Sequence, residues 1–450
     1  MPDSRSPSPL RGAFWTNLAL FTLALVAVAL GAAGFAIAFR AAIGVVFTRL
    51  YRAPDVLEAF RHLPWYACLL VPALGGILAG SANHLASRLK GGGGVGEVME
   101  AVVLGKLQIS LRLTLLRALG SWLAIVSGGS IGREGSIIQF GGGLGGATGR
   151  WFGLREGQLR SLIAAGSAAG FAAAYNTPLA AVLFVVEVVT GVIALDVVLP
   201  AIIAVPIATH VTRLAIGGGP IYGLQTVSIA PGTVVLPLLL GLLAGLAGPA
   251  FMTLLARAEG WFALIPLAKP LRAGIGGLLV GAMALRLPQL TGNGYEAINL
   301  ILSGDMGILL MLALLVCKPL ATSASVSSGS PGGVFTPALF IGASLGGALG
   351  YVASFFDTQP VTQLVPAFAL LGMAALTAAT THAPVMAAVM VFELTGDYAV
   401  VLPLLIATAT ATLLSRRLRA DSIYTDELRR HGTAWDITLD GRRLREPEPR

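Results

Sequence analysis

Ser127-Gly-Gly-Ser-Ile-Gly-Arg-Glu-Gly-Ser136 runs on to Leu144-Gly-Gly-Ala-Thr-Gly149, and Ser328-Gly-Ser-Pro-Gly-Gly-Val-Phe-Thr-Pro337 runs on to Leu345-Gly-Gly-Ala-Leu-Gly350. A constant offset of 201 residues aligns Ser127 with Ser328, Gly132 with Gly333 and Leu144 with Leu345. A second pair follows in the same order. Asn176-Thr-Pro178 leads through an apolar run to Glu187, and His382-Ala-Pro384 leads to Glu393, nine residues from Pro to Glu in both. Glycine enrichment alone imitates one such match, but two in the same order point to duplication. The chain reads as two homologous halves, about 50–200 and about 230–415. Paired repeats interrupted by Gly or Pro at equivalent positions mark transporters whose binding site lies between the halves.

Composition agrees. Of 450 residues only 12% are charged, 55% are apolar and 57 are Gly, against about 25% charged in a soluble domain. A soluble core cannot hide that much apolar surface, which excludes an ordinary cytosolic enzyme. Residues 12–39, 161–186, 214–256, 319–356 and 358–392 hold no Asp, Glu, Lys or Arg, and a crossing needs about 20 apolar residues as a helix. The run from Phe14 to Phe39 is too long for the core of a cleaved signal, about 7–15 residues. Strand alternation is absent, so the reading is helix throughout: an all-α polytopic membrane protein of about ten to fourteen unequal segments, several too short to span. The expected layout is a cytoplasmic segment 1–13, a membrane domain 14–415 and a short charged cytoplasmic tail 416–450, too short for a regulatory domain pair.

The net charge of +8 is mostly arginine flanking apolar runs. Positive residues mark cytoplasmic loops, which is a better account than nucleic-acid binding. Arg5, Arg11 and the tail then place both termini in the cytoplasm. Cys68 and Cys317 lie in apolar segments and the five histidines show no ligand spacing, so no metal or other cofactor is expected.

Each repeat carries a loop of small residues opening into a helix-length apolar run. Converging N–H groups and the positive end of the following helix make an anion site without a full cationic side chain. Such a site admits an ion yet releases it. The functional reading is assigned to Gly132–Ser136 and Gly333–Pro337, and helix packing by small residues to Leu144–Gly149 and Leu345–Gly350. Glu134 is the least ordinary residue, since a carboxylate in a glycine-rich membrane segment is costly unless paired, hydrated or protonated. A lock with Arg133 is disfavoured because adjacent helical residues point in different directions.

At these residues the sequence resembles the CLC family of chloride channels and proton-coupled chloride exchangers, from about residue 20 to about residue 430. Gly132-Arg133-Glu134-Gly135-Ser136 resembles the GREG(P) motif, Gly333-Val334-Phe335-Thr336-Pro337 the GxFxP motif, and Asn176 to Glu187 the conserved segment between them. Asp421-Ser-Ile-Tyr424 sits where the family places its pore tyrosine. The resemblance implies two inverted-topology repeats with short, broken and tilted helices, a homodimer in a lipid bilayer, and location in the cell's inner (plasma) membrane. It makes Glu134 the protonatable gate. It gives the backbone at Arg133, Gly135, Val334 and Phe335, with the Tyr424 hydroxyl, to chloride. Without it, Tyr424 is only an aromatic in a charged tail.

Two departures from the family pattern matter. The GSGIP motif is here Gly92-Gly93-Gly94-Val95-Gly96, so Gly93 replaces the anion-binding serine and has only backbone to offer. The inner glutamate expected directly after Glu187 is Val188, which cannot titrate; Glu97 and Glu187 are candidate substitutes on a proton route, Glu187 being equally a fold residue like its mate Glu393. The resulting reading is anion transport, of chloride first, by a passive channel or weakly coupled carrier. A proton-coupled exchanger and a fluoride-handling member are the alternatives, and an intramembrane enzyme using Glu134 is the reading from another class.

Overall fold

The computed structural model describes residues 9–89, 93–105, 108–219, 222, 234–356, 359–430, 435–438 and 441–444. Arg5, Gly92 and the rest of the tail lie outside them. The first helices are α1 (Pro9–Val46), α2 (Val56–His62), α3 (Trp65–Ala86), α4 (Gly94–Leu104), α5 (Leu111–Val126), α6 (Glu134–Trp151), α7 (Glu156–Tyr175), α8 (Pro178–Phe184) and α9 (Leu195–Ile216). They are followed by α10 (Val235–Ala263), α11 (Lys269–Ala284), α12 (Tyr295–Leu302), α13 (Ile308–Ser327), α14 (Phe335–Ala353), α15 (Val361–Thr381), α16 (Pro384–Thr395), α17 (Val401–Leu418) and α18 (Ile423–Arg430). Eight helical stretches among the described residues are long and apolar enough to cross a membrane.

The fold is helical as expected, apart from a short antiparallel pair in the tail, β1 (Trp435–Thr438) and β2 (Gly441–Leu444). The helices α4 and α12 fall outside the uncharged runs. Each is short and carries carboxylates, Glu97 and Glu100 or Glu296, which break the apolar run that marks a span.

The repeat extends to the element boundaries. α4 and α12 start 201 residues apart, as do α6 and α14, whereas α8 and α16, and α9 and α17, start 206 apart. The shift falls between α6 and α7 in one half and α14 and α15 in the other. Even the unusual backbone is repeated. α7 ends on Asn176 at φ 57° and α15 on His382 at φ 58°, left-handed cap positions that normally call for glycine. Asn and His are among the residues that tolerate them best, and the following Pro178 and Pro384 start the next helices where a missing N–H costs nothing.

α7 and α15 form the centre. The apolar stretch of α15 is buried along its whole length, and the residues of α7 from Ser161 to Tyr175 are buried as well. α6 lies on α7 and α14 on α15 along seams where backbone meets backbone. A β-carbon on Gly141 would strike the Gly166 carbonyl oxygen and one on Gly166 the Gly141 oxygen; Gly342 and Gly372 make the same reciprocal contact. The glycines expected to serve packing do so, Gly145 against the carbonyl of Leu162 and Gly346 against that of Phe368. Without a water-driven hydrophobic force between helices in lipid, such close approach is what holds them.

Candidate functional site

The two glycine-rich loops meet. Gly132 donates its N–H to the Gly333 carbonyl at 2.7 Å, and Gly333 donates to the Gly132 carbonyl at 2.8 Å. Repeat mates thus pair antiparallel, as residues beside a twofold axis of an inverted repeat must. The loops reach this point through Gly128 at φ 87° and Gly329 at φ 117°, conformations open only to glycine at low cost. α6 begins immediately after Arg133 and α14 immediately after Val334, and neither start is capped by a side chain. Their first N–H groups are therefore open donors at the positive ends of two helix dipoles. A cavity of about 420 Å³ lies against them, lined by Gly93, Glu134, Gly135, Val334, Phe335 and Tyr424 among others.

Glu134 is 2% exposed. Thr336 donates its hydroxyl to Oε1, and Tyr175 Oη lies 2.9 Å from the same Thr336 oxygen. Oε2 is buried and has no hydrogen-bond partner among the described residues. It rests over the paired glycines: a β-carbon on Gly132 would overlap it, and one on Gly333 would lie 3.1 Å away. Arg133 faces elsewhere, into a second cavity of about 550 Å³ that it lines with Arg40, Tyr295 and Glu296. No ion pair between Arg133 and Glu134 occurs among the described residues. Consecutive residues therefore line two separate cavities. Thr336 and Tyr175 escaped the sequence reading; Thr336 lies inside the Gly333–Pro337 motif, but Tyr175 carries no signal that separates it from a core aromatic.

The remaining candidates divide. Tyr424 is buried at the cavity wall on α18, which is anchored by Arg419 to Asp426 at 2.8 Å and Arg429 to Asp421 at 2.7 Å. Gly93 precedes α4, whose Gly94 N–H donates to Gln139 Oε1 at 2.9 Å. Gln139 in turn donates to Glu97 at 2.6 Å, so Glu97 is buried behind Gln139 rather than at the cavity surface. Glu187 is elsewhere, in the π-helical turn Val185–Thr190 that continues α8. Its carboxylate accepts from Met386 N at 2.7 Å and Val385 N at 3.3 Å, capping α16. Glu393 caps α8 reciprocally, accepting from Leu179 N at 2.8 Å and Ala180 N at 2.9 Å. The two carboxylates clasp the halves together. Val188 is sealed in the main core.

Glu187→Ala orphans two backbone donors, with an expected stability loss of about 1–3 kcal/mol. Glu393→Ala is expected to lose a similar amount. Thermal unfolding of the detergent-solubilised protein checks this; an unchanged midpoint in both variants would show that the clasp contributes nothing.

Residues 74–416 match the family model of the voltage gated chloride channel. The chain belongs to the CLC family. A ClcB-like protein of Ralstonia nicotianae is 41% identical over 379 residues, covering 82% of this chain and 87% of that one. The voltage-gated ClC-type chloride channel ClcB of Salmonella typhimurium is 37% identical over 377 residues, covering 82% and 88%. Among solved structures, a slow cyanobacterial Cl⁻/H⁺ antiporter superposes with a TM-score of 0.81 at 27% identity, covering 92% of this chain and 98% of that one. A CLC-type fluoride/proton antiporter gives 0.75 at 25% identity, covering 90% and 97%. CLC membership makes the chain a multi-pass membrane transport protein and removes the enzymatic reading of Glu134.

Proposed function

We propose that this CLC protein conducts chloride and related anions along a path through the two cavities, and that Glu134 is its gate. The observation that carries the reading is the buried Glu134 carboxylate lying over the Gly132–Gly333 pair, beside two uncapped helix starts and against the cavity that Tyr424 lines. An ionised carboxylate there occupies the place best suited to an anion. Protonation removes the charge that holds it, and a permeating anion takes its place. Open N–H groups at Gly135, Val334 and Phe335, and the Tyr424 hydroxyl, are the ligands. Chloride is the first candidate because the chloride channel and Cl⁻/H⁺ antiporter relatives are named for it; competition between chloride and fluoride distinguishes the fluoride alternative. Both termini are placed in the cytoplasm and the working unit is taken as a homodimer.

With Val188 buried among apolar side chains, transport runs passively or with weak proton coupling. The Gln139–Glu97 hydrogen bond supports a second reading, proton-coupled exchange, because it links a buried carboxylate to the cavity wall in place of a glutamate at 188. In liposomes under an imposed chloride gradient, chloride flux without opposed proton movement is the expected result. Uphill proton movement would establish exchange and make Glu97 the residue to mutate next. No flux of any anion would overturn the transport reading.

A further inference from the structure

The cavity that Glu134 lines also contains a cation that the glycine-rich loops do not account for. Arg117 of α5 lines it beside Gly93 and Tyr424. A β-carbon built on Gly93 would coincide with Arg117 Nη1, so the guanidinium stands in the space that any side chain at 93 would take. Its Nε is buried without a hydrogen-bond partner among the described residues, and no ion pair joins Arg117 to the carboxylates of the same cavity among those residues. The repeat provides an internal control. Arg117 and Lys318 are 201 residues apart and occupy equivalent places on α5 and α13. Lys318 is fully buried and donates to the carbonyls of Leu290 at 3.0 Å and Gly292 at 3.2 Å, with the Phe340 ring 5.0 Å away. Its charge is satisfied by a loop, whereas that of Arg117 is turned toward the cavity.

We propose that Arg117 is a direct anion ligand and a specificity-determining residue: its guanidinium fills the gap left by Gly93 and favours planar oxyanions over spherical halides. The proposal rests on the transport reading above. A guanidinium presents parallel N–H donors that match two oxygens of one planar anion, whereas a halide accepts at a single centre. Its charge is permanent, so an anion in contact with it gains more than from a neutral hydroxyl. Gly93 is a condition of this arrangement, because a larger residue displaces the guanidinium.

The test uses purified full-length protein in liposomes, with nitrate as the planar probe and bromide as the spherical probe. Wild type is expected to prefer nitrate to bromide. Arg117→Lys keeps the charge but loses the fork, and the nitrate-to-bromide flux ratio is expected to fall about tenfold. Gly93→Ala adds the β-carbon that pushes the guanidinium aside without adding a hydroxyl, and lowers the ratio in the same direction. Size-exclusion profiles establish folding, and if Arg117→Lys does not fold, Gly93→Ala alone decides. An unchanged ratio in a folded variant overturns the role of Arg117, as does a wild type that carries chloride and bromide but excludes nitrate. No anion flux from wild type would instead bring down the transport reading, and this one with it.

Discussion

Glu134→Gln is expected to yield anion flux that no longer responds to external pH and that, at neutral pH, exceeds wild type by about tenfold or more, since attraction of an ionised carboxylate to partly buried helix ends is worth about 1–2 kcal/mol. The carboxamide keeps the size of the side chain and can still accept from Thr336, so the local packing survives. What it loses is charge. On the gating reading, the negative carboxylate of the wild type is held against the open starts of α6 and α14, and flux is expected to rise as pH falls because the protonated acid loses that attraction. The neutral amide is held no better than the acid at any pH. The measurement is flux across liposomes at several external pH values with the internal pH fixed. Wild-type pH dependence in the variant would remove Glu134 from the gate, and a flux below wild type at every pH would mean that the carboxylate helps anions through rather than excluding them.

Gly346→Val is expected to abolish folding. Its β-carbon would meet the Phe368 carbonyl oxygen and the adjoining backbone of α15, so no side-chain rotation relieves the contact. α15 is enclosed by protein along its apolar length and has no lipid-facing direction in which to move. Overpacking typically costs about 1–3 kcal/mol; against immovable backbone the cost is expected at or above that range, a large share of a total stability of about 5–15 kcal/mol. Gly34→Ala is the contrast. Nothing lies within 4 Å of the β-carbon it would add on α1, and helix propensity favours alanine by about 1 kcal/mol. Fluorescence-detected size-exclusion chromatography should show aggregation for the first and a normal peak for the second. A normal peak with wild-type thermal stability for Gly346→Val would mean that the α14–α15 seam is not tight.

Much of the fold and of the site is legible in one dimension because duplication leaves its mark there. Gly132 and Gly333 align by spacing alone, and a carboxylate in a glycine-rich apolar stretch draws attention by its cost. Other residues give no such cue. Arg117 reads as one more arginine near a membrane segment, and Tyr175 as one more core aromatic. Glu187 is ambiguous in sequence. Only its reciprocal relation with Glu393, each capping a helix of the other half, gives it a definite structural task.

Composition, uncharged runs and the doubled motifs by themselves determined that the protein is an all-α membrane transport protein of two related halves, and singled out Glu134 as its least ordinary residue. These are properties of local chemistry and spacing, and they survive in a linear string. The tertiary structure alone decided which groups share a cavity: Arg133 and Glu134 in two different ones, Thr336 on the Glu134 carboxylate, Glu97 behind Gln139, and the guanidinium of Arg117 in the space of a missing side chain. Those relations join residues far apart in the chain through backbone contacts and empty volume, and neither has a residue type that announces it.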